Sequence, residues 1–351
     1  MKDLIKLIFA IFVFCKPPYN TPQYHKPPAL YIEYYRKGIY YENRHNYSKA
    51  LSYFKKACRF SPKERPTKRR YWRAYFRMVK QYENLKLYEK AYKGYLRIFK
   101  EEPKDQYSSY ALYRAIKILC ERLKKRRLGL SLLKELIIKY PDRGITTSSI
   151  KLLYKCSKGL GEALSFLKRI EPKVVNRDID SNILFEIGKI LIKLEKEKEG
   201  IEYIKKMIER YPYPYNSLWD DGVWYLSTLY ERKGDIENAI KYYELLVSKK
   251  ERSYFTATYN FLKTDDSLLK LGELYYYKKR DPKKAIKFLK ILAKEISFPL
   301  SDEGMLLLAK IYRELKDLEK ACFWLKYMKE KKDYANSLRL ALKLYKEWNC
   351  R

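Results

Sequence analysis

The sequence predicts an all-α fold: about eight antiparallel helix–turn–helix hairpins stacked in chain order, closed by one C-terminal capping helix. Two observations carry this. A small residue recurs one helical turn before a large apolar residue, with another apolar residue three places further on. These small residues are Ala50, Ala91, Gly129, Ala163, Gly200, Ala239, Ala285 and Ala321. A period of roughly 34 to 46 residues built on helical spacing marks stacked hairpins. The second observation is how little interrupts helix: 12 glycines and 14 prolines in 351 residues, and no Gly/Ser linker or low-complexity block after residue 30. Such a stack is one quasi-linear body.

The first hairpin spans residues 31–62. Tyr34, Gly38 and Tyr41 share a face of its first helix, a polar break follows at Asn43–Asn46, and Ala50, Phe54 and Ala57 line the second helix. Small residues at 38 and 50 allow close approach, and the rings at 34, 41 and 54 fill the space around it. Pro62 ends the second helix because it cannot donate to the backbone ladder. Trp72, Tyr75, Tyr82, Ala91, Tyr95 and Pro103 repeat the pattern, then Tyr113, Gly129, Leu133, Leu136 and Pro141. The fourth copy is Tyr154, Ala163, Leu167 and Ile170, with an early Pro172. The fifth is Leu184, Gly188, Gly200, Ile204, Met207 and Pro212; the sixth is Tyr230, Gly234-Asp235 at the turn, Ala239, Tyr243 and Leu246. The seventh, around Gly272 and Ala285, holds one residue more than the sixth between its first helix and its turn. The eighth is Ala309, Tyr312, Asp317, Ala321, Leu325 and Met328. In the last helix Tyr334, Leu338, Leu342 and Tyr345 fall on one stripe, as expected of a cap on an open apolar end.

These positions resemble the tetratricopeptide repeat over about residues 31–330. The resemblance implies a right-handed superhelical solenoid that binds rather than catalyses, with the first helix of each hairpin lining a concave groove. It points to Tyr35, Arg73, Phe76, Lys80, Arg114, Phe185, Lys189 and Trp224 as groove residues. Cations mixed with rings suit an extended acidic-aromatic segment of a partner protein. Chaperone-binding members of the family clamp a terminal carboxylate with Lys and Asn. Here Tyr35, Ile39, Phe76 and Lys80 occupy those places, so that clamp is not reproduced.

Lysine and arginine number 77 against 42 acids, a net charge of +35. Such a charge attracts nucleic acid, anionic lipid or acidic protein faces. A heat-adapted or AT-biased genome would also enrich Lys, Ile and Tyr while leaving few glutamines, here three. The cations cluster, which bias alone does not explain. Between Lys55 and Lys80, eleven of them, including Lys63, Arg65, Lys68, Arg69 and Arg70, face Glu64 alone. A second knot holds Arg122, Lys124, Lys125, Arg126 and Arg127. Tyr71, Trp72, Tyr75 and Phe76 are interleaved with the first, a composition that can hold phosphates and stack bases. Because Trp72 and Tyr75 are also hairpin positions, a solvated, lipid-facing or partner-facing surface is favoured over nucleic acid. The 37 tyrosines are expected to pack between helices with their hydroxyls at the surface.

Residues 1–15, MKDLIKLIFAIFVFC, have a basic start and an apolar run from Leu7 to Phe14. The run is too short to span a bilayer, which needs about 20 apolar residues. It has the outline of an export signal, and its end at Cys15 looks like a bacterial lipoprotein signal, with Phe14 where that pattern has a small residue. Cys15 is therefore the lipidation candidate. Residues 16–30 form a Pro-rich leader, 31–332 the repeat array, and 333–351 the cap.

Two unpaired histidines, His25 and His45, argue against a metal site or a His-based triad, and no P-loop is present. No cofactor, catalytic residue or small-molecule substrate is expected. The acid pairs Asp220-Asp221, Asp265-Asp266 and Asp302-Glu303 stand where hairpins begin, which suits capping of free N–H groups and the helix dipole. The six cysteines lack repeating spacings, so a disulfide framework is not expected, and Cys58, Cys120 and Cys322, inside helices beside packing positions, read as small buried residues. The sequence thus points to a non-enzymatic interaction scaffold at a bacterial cell envelope. The repeat-rich lipoproteins of outer-membrane assembly and the helical superstructure of some murein enzymes are similar in this respect. The alternative is a cytosolic nucleic-acid-binding solenoid using residues 55–80 and 122–127.

Overall fold

The computed structural model describes residues 29–60, 68–102, 107–139, 144–249, 263–294, 300–331 and 337–350. Pro62, Pro103, Pro141 and Tyr334 lie outside them, as do the segments around Cys15 and the leader up to residue 28. The described residues form seventeen α-helices and no strand. Contacts divide the chain into two compact units, up to Leu133 and from Lys134 onward.

In the first unit α1 (Ala29–Asn43) pairs with α2 (Tyr47–Arg59), and α3 (Lys68–Asn84) with α4 (Tyr88–Glu101). Next come α5 (Ser108–Glu121) and α6 (Arg126–Lys139), in which the division falls. The second unit continues with α7 (Gly144–Cys156), α8 (Leu160–Ile170), α9 (Arg177–Lys193) and α10 (Glu197–Arg210). The hairpins α11 (Trp219–Arg232) with α12 (Ile236–Ser248), α13 (Thr264–Glu273) with α14 (Pro282–Lys294), and α15 (Ser301–Glu314) with α16 (Leu318–Lys331) follow. The last helix is α17 (Leu338–Glu347). Within each unit consecutive helices pack on one another, from α1 through α5 and from α7 through α17, which is the expected hairpin stacking.

All eight recurring small residues are buried. The reason is steric. A Cβ on Gly38 would sit 2.6 Å from the Phe54 ring, so α1 can approach α2 only with glycine there. The turns have a common form. His45, Lys86, Glu195, Gly234, Arg280 and Lys316 each adopt positive φ, and the next N–H reaches back to a carbonyl in the last turn of the first helix. Asn46 to Tyr41 (2.9 Å) and Asp317 to Tyr312 (2.9 Å) are examples of this Schellman-type closure. Asn46, Asp235, Asp281 and Asp317 then cap the second helix through their side chains.

Three expectations need correction. Cys322 in α16 is disulfide-bonded to Cys350 beyond α17, with Cα atoms 5.4 Å apart, and the buried Cys120 and Cys156 are not free thiols either. Six tyrosine hydroxyls donate to carboxylates rather than to solvent, from Tyr95, Tyr154, Tyr211, Tyr243, Tyr275 and Tyr276. The acid pairs sit in first turns as expected, and Asp220 and Asp302 accept from first-turn backbone N–H groups. Asp302 is buried and accepts from the Ser337 N–H (3.2 Å) at the start of α17 as well. Finally, α17 buries Ala341 and leaves Leu342 exposed, so its inward stripe is rotated from the expected one.

Candidate functional site

Along α3 the spacing of Arg73, Phe76, Arg77 and Lys80 puts all four on one stripe. With Tyr35 of α1 and Tyr107 and Tyr110 at the start of α5, they line a cavity of about 210 Å³ in the first unit. Tyr35, Arg73, Phe76 and Lys80 were expected in one groove, and here they converge. Arg77, Tyr107 and Tyr110 were not expected. A signal existed for the two tyrosines: each follows Arg73 or Phe76 by 34 residues (107 − 73 and 110 − 76), one repeat period.

The cations of this stripe differ in what they already hold. Arg77 and Lys80 both donate to Glu42, at 2.8 and 2.9 Å. Burial alone would push the Glu42 carboxyl up, but the two cations outweigh it and hold it below the usual carboxylate range. Arg114 grips Glu83 in a two-point pair (2.6 and 3.1 Å) and does not line the cavity. Arg73 has no carboxylate partner among the described residues; its guanidinium lies 5.3 Å from the Tyr35 ring centroid. Opposite it, Phe76 stacks on Tyr107 (5.4 Å) and leans on Tyr110 (5.7 Å) and Tyr95 (5.6 Å). The result is a ring-lined recess with three cations, two of them held by the buried Glu42.

In the second unit the expected groove residues are half-buried and locally engaged. Lys189 donates to Glu186 (2.8 Å) and lies over Phe185 at 5.0 Å. Trp224 meets Tyr243 edge-on at 5.4 Å, with Lys263 at 5.7 Å over its ring. Among the basic-knot residues, Lys125 pairs with Glu89 (2.6 Å), Lys124 occupies a positive-φ turn, and Arg126 and Arg127 are exposed at the start of α6. Arg69 and Arg70 open α3, where the Arg70 carbonyl accepts from Tyr31 (3.2 Å). Lys63, Arg65 and the Lys68 side chain lie outside the described residues. Tyr71, Trp72, Tyr75 and Phe76 are all at most 9% exposed, so they form core rather than an open stacking platform. Among the described residues no three His, Cys, Asp or Glu side chains gather as a metal-binding set.

A family model described as tetratricopeptide repeat matches residues 34–64, 181–214 and 226–248, and a second of the same description matches 266–295. No curated protein matches the chain. Among solved structures it is similar to MamA from Desulfovibrio magneticus RS-1 (17% identity, TM-score 0.35, covering 52% of this chain and 96% of that one). It is also similar to a tetratricopeptide repeat protein from Parabacteroides merdae (14%, 0.32, 91% and 100%) and to pilF from Pseudomonas aeruginosa (12%, 0.28, 91% and 96%). The matched segments fall on the hairpins α1/α2, α9/α10, α11/α12 and α13/α14, and on that footing the chain belongs to the tetratricopeptide repeat family.

Proposed function

We propose that the chain is a non-enzymatic interaction scaffold of a bacterial cell envelope, and that its first unit anchors a partner protein at the recess between α1, α3 and α5. The observation that carries this is Arg73. It stands among Tyr35, Phe76, Tyr107 and Tyr110 with no carboxylate partner among the described residues, while Arg77 and Lys80 share Glu42. An acidic side chain of the partner would complete Arg73, and a neighbouring apolar ring would pack on the exposed Tyr110. The basic surface then serves an acidic protein face, since Arg77, Lys80 and Lys125 are held by Glu42 and Glu89 and the rings beside them are buried.

The envelope setting is supported by the N-terminal pattern ending at Cys15 and by the Cys322–Cys350 disulfide, which suits an oxidising compartment. Among the described residues no helix is long and apolar enough to cross a membrane.

The test is fluorescence anisotropy with a labelled peptide of alternating Asp and Phe against its Asn–Phe counterpart. The acidic peptide should bind, and Arg73→Glu should weaken it at least tenfold. Equal binding of both peptides, or an unchanged affinity in the variant, refutes the site. Mass analysis of the mature N-terminus, with Cys15→Ala as control, tests the setting separately.

A further inference from the structure

The first hairpin carries a second composed surface that the recess does not use. Rings of α1 and α2 stand in file: Phe60 on Tyr34 (5.5 Å), Tyr34 on Tyr53 (6.3 Å), and Tyr53 on Tyr41 (5.4 Å, 3° from parallel). Lysines lie across them. Lys56 is 5.6 and 5.5 Å from the centroids of Tyr34 and Tyr53, Lys49 is 5.3 Å from Tyr41, and Lys37 is 5.9 Å from Tyr53. The three lysines are exposed and the rings between them half-buried, while Phe60 at the end of the file is 39% exposed. Among the described residues Glu33, on Lys37, is the acid that these lysines pair with. None of these contacts involves α3, which meets α1 through Tyr31, Tyr35 and Glu42.

A terminal hairpin needs a polar outer face, and charges alone would supply it. Here the charges ride on an unbroken file of tyrosines. Rings with a polar tip beside long cationic stems are the chemistry that a bilayer interface selects. The ring bodies sit among headgroups while the ammonium groups reach lipid phosphates. Single-stranded nucleic acid would need open ring faces for its bases. In this file the faces are already covered by neighbouring rings and by lysines, which favours a lipid occupant.

We propose that the Tyr34–Tyr53–Tyr41 file with Lys37, Lys49 and Lys56 docks the first hairpin on an anionic bilayer surface. The envelope reading supplies the setting, and the surface argument stands apart from whether Cys15 is lipidated.

The test uses the full chain with vesicles of phosphatidylcholine alone and of phosphatidylcholine mixed with phosphatidylglycerol. Phosphatidylglycerol should raise partitioning, and high salt should reduce that gain. Lys49→Glu/Lys56→Glu should remove about tenfold or more of it, and Lys49→Gln/Lys56→Gln less, with unchanged helix content and melting. Any binding to phosphatidylcholine alone reports the apolar N-terminus and should be the same in all three proteins. The proposal is overturned if phosphatidylglycerol adds nothing or if both variants keep the gain. It is also overturned if an oligo-dT strand binds through these lysines while phosphatidylglycerol adds nothing. A retained phosphatidylglycerol gain together with an unmodified, cytosolic N-terminus would refute the envelope reading and leave this surface standing.

Discussion

The Tyr95 hydroxyl donates to Glu83, twelve residues earlier in the same hairpin, at 3.0 Å. Tyr243 does the same to Glu231 at 2.6 Å, again across twelve residues. In both cases a cation from the next hairpin's first helix closes on the same carboxylate: Arg114 at 2.6 Å and Lys270 at 3.2 Å. The register also places Phe54 twelve residues after Glu42. Phenylalanine has no hydroxyl to give, and Glu42 takes two cations from the next hairpin, Arg77 and Lys80. The carboxylate is therefore a joint between successive hairpins.

Removing one hydroxyl should loosen that joint. Tyr95 is fully buried, and Tyr95→Phe leaves Glu83 with Arg114 alone. The expected cost is about 1–3 kcal/mol by chemical denaturation, since a buried donor to a charged group is lost. Tyr243→Phe should behave alike. A neutral result for both would mean that the cation alone satisfies the carboxylate.

Two glycines in similar helices should respond oppositely to alanine. A Cβ on Gly200 would lie 2.7 Å from the Gly188 carbonyl oxygen, and backbone cannot swing aside. Gly200→Ala should destabilise by about 1–3 kcal/mol through overpacking of α9 on α10. Gly161 in α8 meets nothing within 4 Å. Gly161→Ala should therefore stabilise by up to about 1 kcal/mol, the helix-propensity gain. Melting both variants beside the parent protein decides the matter.

These glycines show what periodicity can encode. A small residue opposite a large one fixes which faces meet, and the hairpins formed where that spacing placed them. The seventh copy is the sharpest case. Its one additional residue is absorbed as a π-turn at Leu274–Lys278. What periodicity does not encode is how far each hairpin rotates on the next. The Tyr–carboxylate joints, the Asp302–Ser337 contact and the inward turn of Ala341 in place of Leu342 depend on that rotation. The convergence of Tyr107 and Tyr110 on Arg73 also depends on it.

Acid titration should separate two buried carboxylates of opposite sign. Glu42 is held below its usual 4.5, so its contribution is present above that value and is lost as pH falls through the folded pKa. Glu42→Gln should cost roughly 1–2 kcal/mol at neutral pH, with the gap closing on acidification. Asp180 is raised above its usual 3.8 because burial outweighs its bonds to Tyr211 (2.6 Å) and Arg210 (2.9 Å). Its contribution is present at acid pH and is lost as pH rises through the folded pKa. Asp180→Asn should therefore gain on the parent protein from acid to neutral pH. Parallel stability curves for either variant and the parent would contradict the assignment.

The chain end offers a test tied to compartment. The Cys322–Cys350 disulfide closes a loop of 28 residues, which in the chain-entropy account is worth about 3.6 kcal/mol. It also fixes α17, whose burial rests on Ala341 with Leu338, Leu344, Tyr345 and Trp348 only partly covered. So little apolar contact makes a short helix marginal without the bridge. Cys322→Ser/Cys350→Ser should release α17, and its amides should exchange freely while those of α15 stay protected. Cys58 provides an internal control. Burial pushes its thiol up to about 12, so alkylation there should remain slow until the first unit unfolds. If the double variant keeps α17 protected, packing alone holds the cap, and the disulfide loses its value as a sign of an oxidising compartment.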